Sequence, residues 1–433
     1  MTNLPLNVMK SLKIGLLGIG NIGSGVYSLI KRKYAFIKKR SGVHLEIVRI
    51  ADRNRSFHFP VQKKLLTRDV KSVLTDPQID VVVELFGGIH PALEYVLMAL
   101  QNGKDVVTAN KALLAEHGDK IFRTAERYGN QIFFEASVGG GIPIIQALRD
   151  GLVANQVQSI YSIINGTSNY ILSQMTEKRV DFAQALKEAQ AKGYAEANPR
   201  LDVEGVDAAH KITILASLAF GKIARFEDIY VEGISRIRSE DIAFAEEFGY
   251  RIKLLAIVKK TSGGVEARVQ PTLIPKDHLL AGVHDSYNAI LVRGDETGDL
   301  LFYGRGAGSR PTASAVVSDL VNLAKERESG SAPFAGFPKG KLKIKNISAI
   351  LSRYYLRFHV VDEPGVLAKI SQVLGQRKIS ISDVIQKEWR TGSVVPLILL
   401  THNAYEDAVR NAVRSIDKLS VIKSKTQVLR IES

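Results

Sequence analysis

The stretch LKIGLLGIGNIG, residues 12–23, decides how the first third of the chain folds. An apolar run ends in Gly18-Ile19-Gly20-Asn21-Ile22-Gly23, and a helical pattern opens there. A GxGxxG that leaves a strand and enters a helix is a dinucleotide-binding turn. Gly18 permits the tight turn, Gly20 lets the backbone approach a pyrophosphate, and Gly23 lets helix and strand pack closely. Asn21 and Ile22 sit at the helix start, where unpaired N–H groups suit phosphate oxygens.

The same alternation continues outward. A helix is expected to about Arg40, then a strand over His44–Asp52. Ile79–Gly87 is a continuous apolar run, as a parallel strand covered on both faces requires. Pro91 marks the start of the next helix and Gly103 its end. Asp105–Asn110 and Gln131–Ser137 are further strands, with a helix between them. This is an α/β pattern, a doubly wound parallel sheet of the Rossmann type, over residues 1–137.

Residues 138–304 change character. They hold a strand at Val157–Ile164, a helix N-capped by Asp181 with Phe182, Ala185, Leu186 and Ala189 on one face, and a long helix from Gly205 to Phe220. Strands follow near Arg251–Lys259 and Val265–Leu273. The pattern is that of an α+β domain. Gly, Ser, Pro and then alternating lysines over 329–348 signal a linker. Residues 349–433 run βαββαβ, the order of a ferredoxin-like sandwich.

Composition narrows the function classes. The chain has 433 residues, is 45% hydrophobic, and contains no cysteine. Disulfides and thiolate metal sites are therefore excluded, which fits a cytoplasmic protein. The first fifteen residues lack the apolar core of a signal peptide, and no apolar run approaches the ~20 residues of a membrane span. The net charge of +15 comes from 59 basic against 44 acidic residues. Its clusters are Lys31–Arg40, with Tyr34 and Phe36 at its centre, and the lysines 339, 341, 343 and 345; neither reads as a stacking surface, so nucleic-acid and membrane partners are not expected. Such a surface can steer an anionic cofactor or substrate.

Residues 193–211, GYAEANPRLDVEGVDAAHK, carry the densest chemistry. Glu196, Asp202, Glu204 and Asp207 precede Lys211. Asp207 and Lys211 are four apart and share a helix face. A cationic acid beside carboxylates suits a substrate that bears an ammonium group and exchanges a proton; an ordinary surface ion pair has the same spacing. Strand two ends in Asp52-Arg53-Asn54-Arg55. An acid there favours NAD and arginines favour NADP, so cofactor choice stays open. Asn110-Lys111 follows a strand at the carboxyl edge, where ligands of open sheets bind, and Lys111 there either touches ligand or is a solvated helix-start residue. Glu135-Ala-Ser-Val138-Gly-Gly140-Gly-Ile142 offers one carboxylate and exposed carbonyls to a hard cation, or serves as a hinge. Gly166 and Thr167, in NGTSN, hold a small polar substrate or make a turn. A second glycine turn, Tyr303–Gly308, includes Gly306 and can close over cofactor phosphates.

Together these motifs resemble homoserine dehydrogenase in its long form. The resemblance rests on GLLGIGNIGSGV, TANKALLA, FEASVGGGIP, INGTSNYIL, residues 193–211 and YGRGAGSRPTASAV, and spans nearly the whole chain. VVDEPGVLAKISQVLG, residues 360–375, resembles an ACT module, which senses amino acids. The resemblance implies reduction of L-aspartate 4-semialdehyde to L-homoserine with NAD(P)H, on the route to threonine and methionine. It implies Lys211 as acid–base residue with Asp207 as partner, and Glu196, Asp202, Gly166, Thr167 and Lys111 around the substrate. It places the cofactor on Gly18, Gly20, Asn21, Ile22, Gly23, Asp52, Arg53, Asn110, Lys111 and Gly306. It assigns Glu135, Val138, Gly140 and Ile142 to a sodium site. It divides the chain into a cofactor domain over 1–137 completed by about 305–328, a catalytic and dimerisation domain over 138–304, a linker, and the ACT module. Threonine is the expected effector, near Asp362, Pro364 and Gly365, in a homodimer or homotetramer. The chain departs from the family at Asn198, where aspartate is frequent; no catalytic role rests on that position.

Two rivals remain. A 2-hydroxy-acid dehydrogenase with an ACT domain needs a histidine acid–base residue, and of the nine histidines only His210 approaches the site. On the helix it points about 100° away from Lys211. A non-catalytic sensor of NAD(P) and an amino acid has no reason to keep Glu196, Asp202, Asp207 and Lys211 together.

Overall fold

The computed structural model describes residues 10–54, 60–329, 340–386 and 393–432. Arg55 and Lys339 lie outside the described residues. The chain forms two compact units. The first comprises residues 1–157, 210–226 and 293–342; the second comprises 158–209, 227–292 and 343–433.

In the first unit six strands form a parallel sheet. They are β1 (Lys10–Leu17), β2 (Val43–Ala51), β3 (Leu66–Thr67), β4 (Val81–Glu84), β5 (Asp105–Thr108) and β6 (Ile132–Phe133), in the order 3-2-1-4-5-6. The order reverses beside β1, so the crevice at the carboxyl ends opens over the glycine turn. Leu12, Ile14 and Leu16 alternate onto one face and pack with Val81 and Val83. The late helix Ser309–Ser329 brings Ala313, Val316 and Leu320 into that core.

Two local expectations fail for identifiable reasons. The helix to Arg40 is two helices, α1 (Asn21–Arg32) and α2 (Tyr34–Ser41), because Lys33 leaves helical geometry at φ −106°, ψ 17°. The strand expected over Gln131–Ser137 stops at Phe133. Beyond it side chains take the backbone groups: Glu135 N–H donates to Asp319, and Ser137 Oγ donates to the Phe134 carbonyl at 2.6 Å. The remaining helices at this sheet are α3 (Val70–Leu74), α4 (Ala92–Gln101) and α5 (Lys111–Tyr128).

The second unit is built on an antiparallel sheet. Val157–Ile163 pairs with Tyr250–Thr261, which makes a hairpin with Gly264–Pro275. The last strand, Gln427–Ile431, lies parallel to Gly264–Pro275 at Thr272 and Leu273. It also pairs with Leu351–Val361, which pairs with Val394–Thr401 and through it with Ile381–Gln386. The C-terminal βαββαβ order is thus as expected, with helices Val366–Gln376 and Glu406–Ile416. Its core alternates: Tyr354, Leu356, Phe358 and Val360 face the helices. Tyr355 and Arg357 face the opposite side, where both bond Asp241. Arg268, almost fully buried, pairs with Glu266 and with Glu432 from the chain's end. The module's final strand therefore extends a neighbouring sheet and its end feeds a buried ion triad. Part of the expected linker is likewise held: the N–H groups of Val265 and Lys345 bond the carbonyls of Lys343 and Val265.

Candidate active site

The glycine turn is shaped by backbone proximity. Gly18 has φ +91°, open to glycine at little cost. A Cβ on Gly23 would lie 2.1 Å from the Gly18 carbonyl oxygen, so no other residue fits. A Cβ on Gly20 would meet nothing within 4 Å. The gap at Gly20 thus faces open space and not protein. Gly20 N-caps α1 without any side-chain hydrogen bond, which leaves the helix start to a ligand. These features fit a dinucleotide diphosphate.

Asp52 is more committed than the sequence indicates. Its Oδ2 accepts the Ile19 N–H and its Oδ1 the Asn54 N–H, both at 2.8 Å. It fixes the glycine turn itself, with lone pairs left for a ribose. Arg53 is exposed. Asn110 is also structural: its Oδ1 caps α5 at Leu113 and its Nδ2 donates to the Gly88 carbonyl at 2.6 Å. Lys111 opens that helix and is half-buried.

The second glycine turn comes to the first. Ser309 Oγ donates to the Asn21 carbonyl at 2.6 Å. A Cβ on Gly140 would lie 2.6 Å from the Gly306 carbonyl, so the Glu135–Ile142 loop and the Gly306 turn touch. Glu135 is buried, and its oxygens accept the N–H groups of Ile145 at 2.9 Å and Gln146 at 2.8 Å. Burial pushes its carboxyl up, against those hydrogen bonds. Asp319, bonded to the Glu135 N–H, is pushed well up by burial and by Glu135. Two buried acids beside a loop with carbonyls at Val138, Gly140 and Ile142 are a donor set a hard cation would fit. Among the described residues there is no cluster of three or more His, Cys, Asp or Glu fit for a metal ion.

In the second unit one side chain organises the acids. Asn165 caps helix Gly166–Lys178, its Oδ1 accepting from Ser168 N–H at 2.8 Å. Its Nδ2 donates to Asp202 Oδ1 at 2.7 Å and to Asp207 Oδ2 at 2.8 Å. Ser168 Oγ adds a bond to the Asp202 carbonyl at 2.9 Å. Thr167 Oγ1 donates to the Tyr194 carbonyl at 2.5 Å, so its hydroxyl can only accept further. A Cβ on Gly166 would lie 2.7 Å from the Ser286 carbonyl, so that glycine is required by packing. Glu196 is exposed and is not drawn into this knot by its side chain among the described bonds. Asp207 and Lys211 both lie on helix Val206–Phe220 and are 7% and 8% exposed. That burial separates them from an ordinary surface ion pair. His210 is bonded to Glu116 at 3.1 Å.

Sequence reasoning missed Asn165, Ser168, Thr108 and Ser309. Asn165 carried one signal, an amide ahead of a helix, which predicts a cap. Nothing in its neighbours reveals acids 37 and 42 residues away.

Comparison with known proteins decides the family. Residues 18–135 match the homoserine dehydrogenase NAD-binding domain, 143–321 the homoserine dehydrogenase domain, and 354–417 the ACT domain. Homoserine dehydrogenase from Pseudomonas aeruginosa is 45% identical over 98% of this chain and 99% of its own. The chain belongs to the homoserine dehydrogenase family. It is an oxidoreductase with a nicotinamide-cofactor domain and a C-terminal ACT domain. The crystal structure of a homoserine dehydrogenase from Thiobacillus denitrificans has a TM-score of 0.92 at 46% identity, covering 98% of this chain and 99% of that one. A hyperthermophilic archaeal homoserine dehydrogenase in complex with NADPH has a TM-score of 0.62 at 25% identity, covering 73% of this chain and 98% of that one. Among the described residues no helix is long and apolar enough to cross a membrane.

Proposed function

We propose that the chain interconverts L-aspartate 4-semialdehyde and L-homoserine, with Lys211 as acid–base residue and Asp207 as its partner. The observation that carries this is the Asn165 amide clamping Asp202 and Asp207. The amide brings two carboxylates together, which suits the substrate's ammonium. Thr167, Gly166, Glu196 and Lys111 complete the substrate's surroundings. The bound nicotinamide supplies or takes the hydride. As the alcohol oxygen gains charge, the Lys211 ammonium stabilises it and delivers the proton; in reverse the neutral amine takes it back. Asp207, four residues before it, favours the charged amine and orients it.

The Gly18–Gly23 turn would hold the cofactor, with Asp52, Arg53, Asn110 and Gly306 around it. A sodium ion held by Glu135 and the carbonyls of Val138, Gly140 and Ile142 would neutralise buried acid and fix the loop. Threonine binds the ACT module at the Asp362-Glu363-Pro364-Gly365 turn, where Asp362 is half-buried, the other three residues are exposed, and Gly365 has φ +88° with open space about it. The exposed apolar side chains of Leu367, Val384 and Val394 support pairing of modules between chains, in a homodimer or homotetramer.

The test is initial rates of NADPH and NADH oxidation with aspartate semialdehyde, with and without threonine. Turnover with the semialdehyde and none with 2-oxo acids supports the proposal. No turnover with either nicotinamide contradicts it and favours the sensor.

A further inference from the structure

Glu84 ends β4 at the carboxyl edge of the first sheet and is fully buried. Its ladder partner is Thr108, the last residue of β5. Thr108 Oγ1 donates to Glu84 Oε2 at 2.6 Å and accepts the Asn110 N–H at 3.0 Å. Asn110 then bonds the Gly88 carbonyl and caps α5. One hydrogen-bond chain thus runs from Glu84 to both loops at this edge, 85–88 and 109–110, and ends beside Lys111. Dinucleotides of open sheets bind at that edge.

The other oxygen, Oε1, is buried and has no hydrogen-bond partner among the described residues. A carboxylate buried with one bare oxygen is costly, whereas a neutral acid with its proton on Oε1 keeps every other bond in the chain intact. Val83 and Val107 face the core shared with helix Ser309–Ser329, so Glu84 and Thr108 face α4 and α5. The titratable groups on the elements packed there include His90 and Glu94, bonded to each other at 2.7 Å, Tyr95, whose ring lies 6.0 Å from that of Phe86, and Lys111, Glu116 and His117. Burial is the first cause that pushes the Glu84 carboxyl up to about 7, and the Thr108 hydrogen bond opposes it.

We propose that Glu84 acts as a neutral carboxylic acid that positions the cofactor site, setting the two edge loops through Thr108 and Asn110. This rests on the nicotinamide-cofactor reading. The test is direct binding of NADPH to the full chain, followed by NADPH fluorescence between pH 6 and 9. Wild type is expected to weaken about tenfold as pH rises through about 7. Glu84→Gln presents a carbonyl to Thr108 and an N–H in place of Oε1–H. It is expected to bind within about threefold of wild type at pH 6 and to lose the pH step. Glu84→Ala and Thr108→Val are expected to bind about tenfold more weakly at every pH. A pH step unchanged in Glu84→Gln, or Glu84→Ala binding as tightly as wild type, overturns the proposal. Wild type that fails to bind NADPH at any pH removes the cofactor reading itself, and the proposal with it.

Discussion

The glycine turn at residues 18–23 and the Asn165 knot do comparable work by opposite means. The turn is largely local: six residues and their backbone contacts define it, braced by the Asp52 carboxylate at Ile19. The knot is assembled: Asn165, Asp202 and Asp207 come from three elements, and an amide nitrogen joins them. A local device is written in spacing. An assembled one exists only after the sheet has formed, so its failure modes are those of the fold.

The largest effect is expected where assembly extends furthest. The C-terminal strand is shared with Gly264–Pro275, and Glu432 pairs with buried Arg268. Deleting residues 349–433 strips one partner from a buried guanidinium, and we expect loss of soluble protein and not a deregulated enzyme. Gly365→Val is the sharper probe of regulation. A branched residue is strained at φ +88°, so the prediction is a folded enzyme whose rate no longer responds to threonine.

Within the turn, two glycines should separate packing from binding. Gly23→Ala sets a methyl 2.1 Å from a backbone oxygen, and calorimetry with NADPH should show affinity lower by about a hundredfold, with a reduced melting temperature. Gly20→Ala meets no protein atom within 4 Å. Its melting temperature should match wild type while NADPH affinity falls about tenfold. Equal melting losses in the two variants would break the distinction.

Asn165→Ala tests the knot. Two carboxylates lose a shared donor, worth about 1–3 kcal/mol. Steady-state kinetics should show kcat/KM down about 10–100-fold with NADPH affinity unchanged. A parallel loss of cofactor affinity would mean that the knot and the turn are not independent.

The last effect concerns stability alone. Lys253 is buried, donating to the Val283 carbonyl and to Asn169, and burial lowers its amine to about 8 from the ordinary 10.5. Below 8 both folded and unfolded chains carry the charge, and the folded state bears the full burial cost. Between 8 and 10.5 the folded chain has shed the proton while the unfolded chain has not, so stability rises by at most about 3 kcal/mol. Urea midpoints should increase over that window in wild type and stay flat in Lys253→Met.

These contrasts explain what was legible beforehand. The parallel sheet follows from Leu12–Leu17, Val81–Glu84 and Asp105–Thr108, whose apolar runs leave no other packing. The βαββαβ module follows from alternation in Leu351–Val361. The break at Lys33 and the turn at Glu135 were not legible, since each depends on backbone groups diverted after packing. Asp207 and Lys211 were visible as a helical pair, but their burial was not. Asn165 was read only as part of a turn, and it is both a cap and a clamp. Glu84 passed unremarked within the apolar run Ile79–Gly87; its ladder partner, Thr108, reveals a task.

One measurement bears most directly on the account: turnover and NADPH affinity of Lys211→Ala determined on the same preparation. Turnover about 10²–10⁴-fold lower with affinity within about twofold of wild type is the predicted result. Turnover near wild type would contradict it.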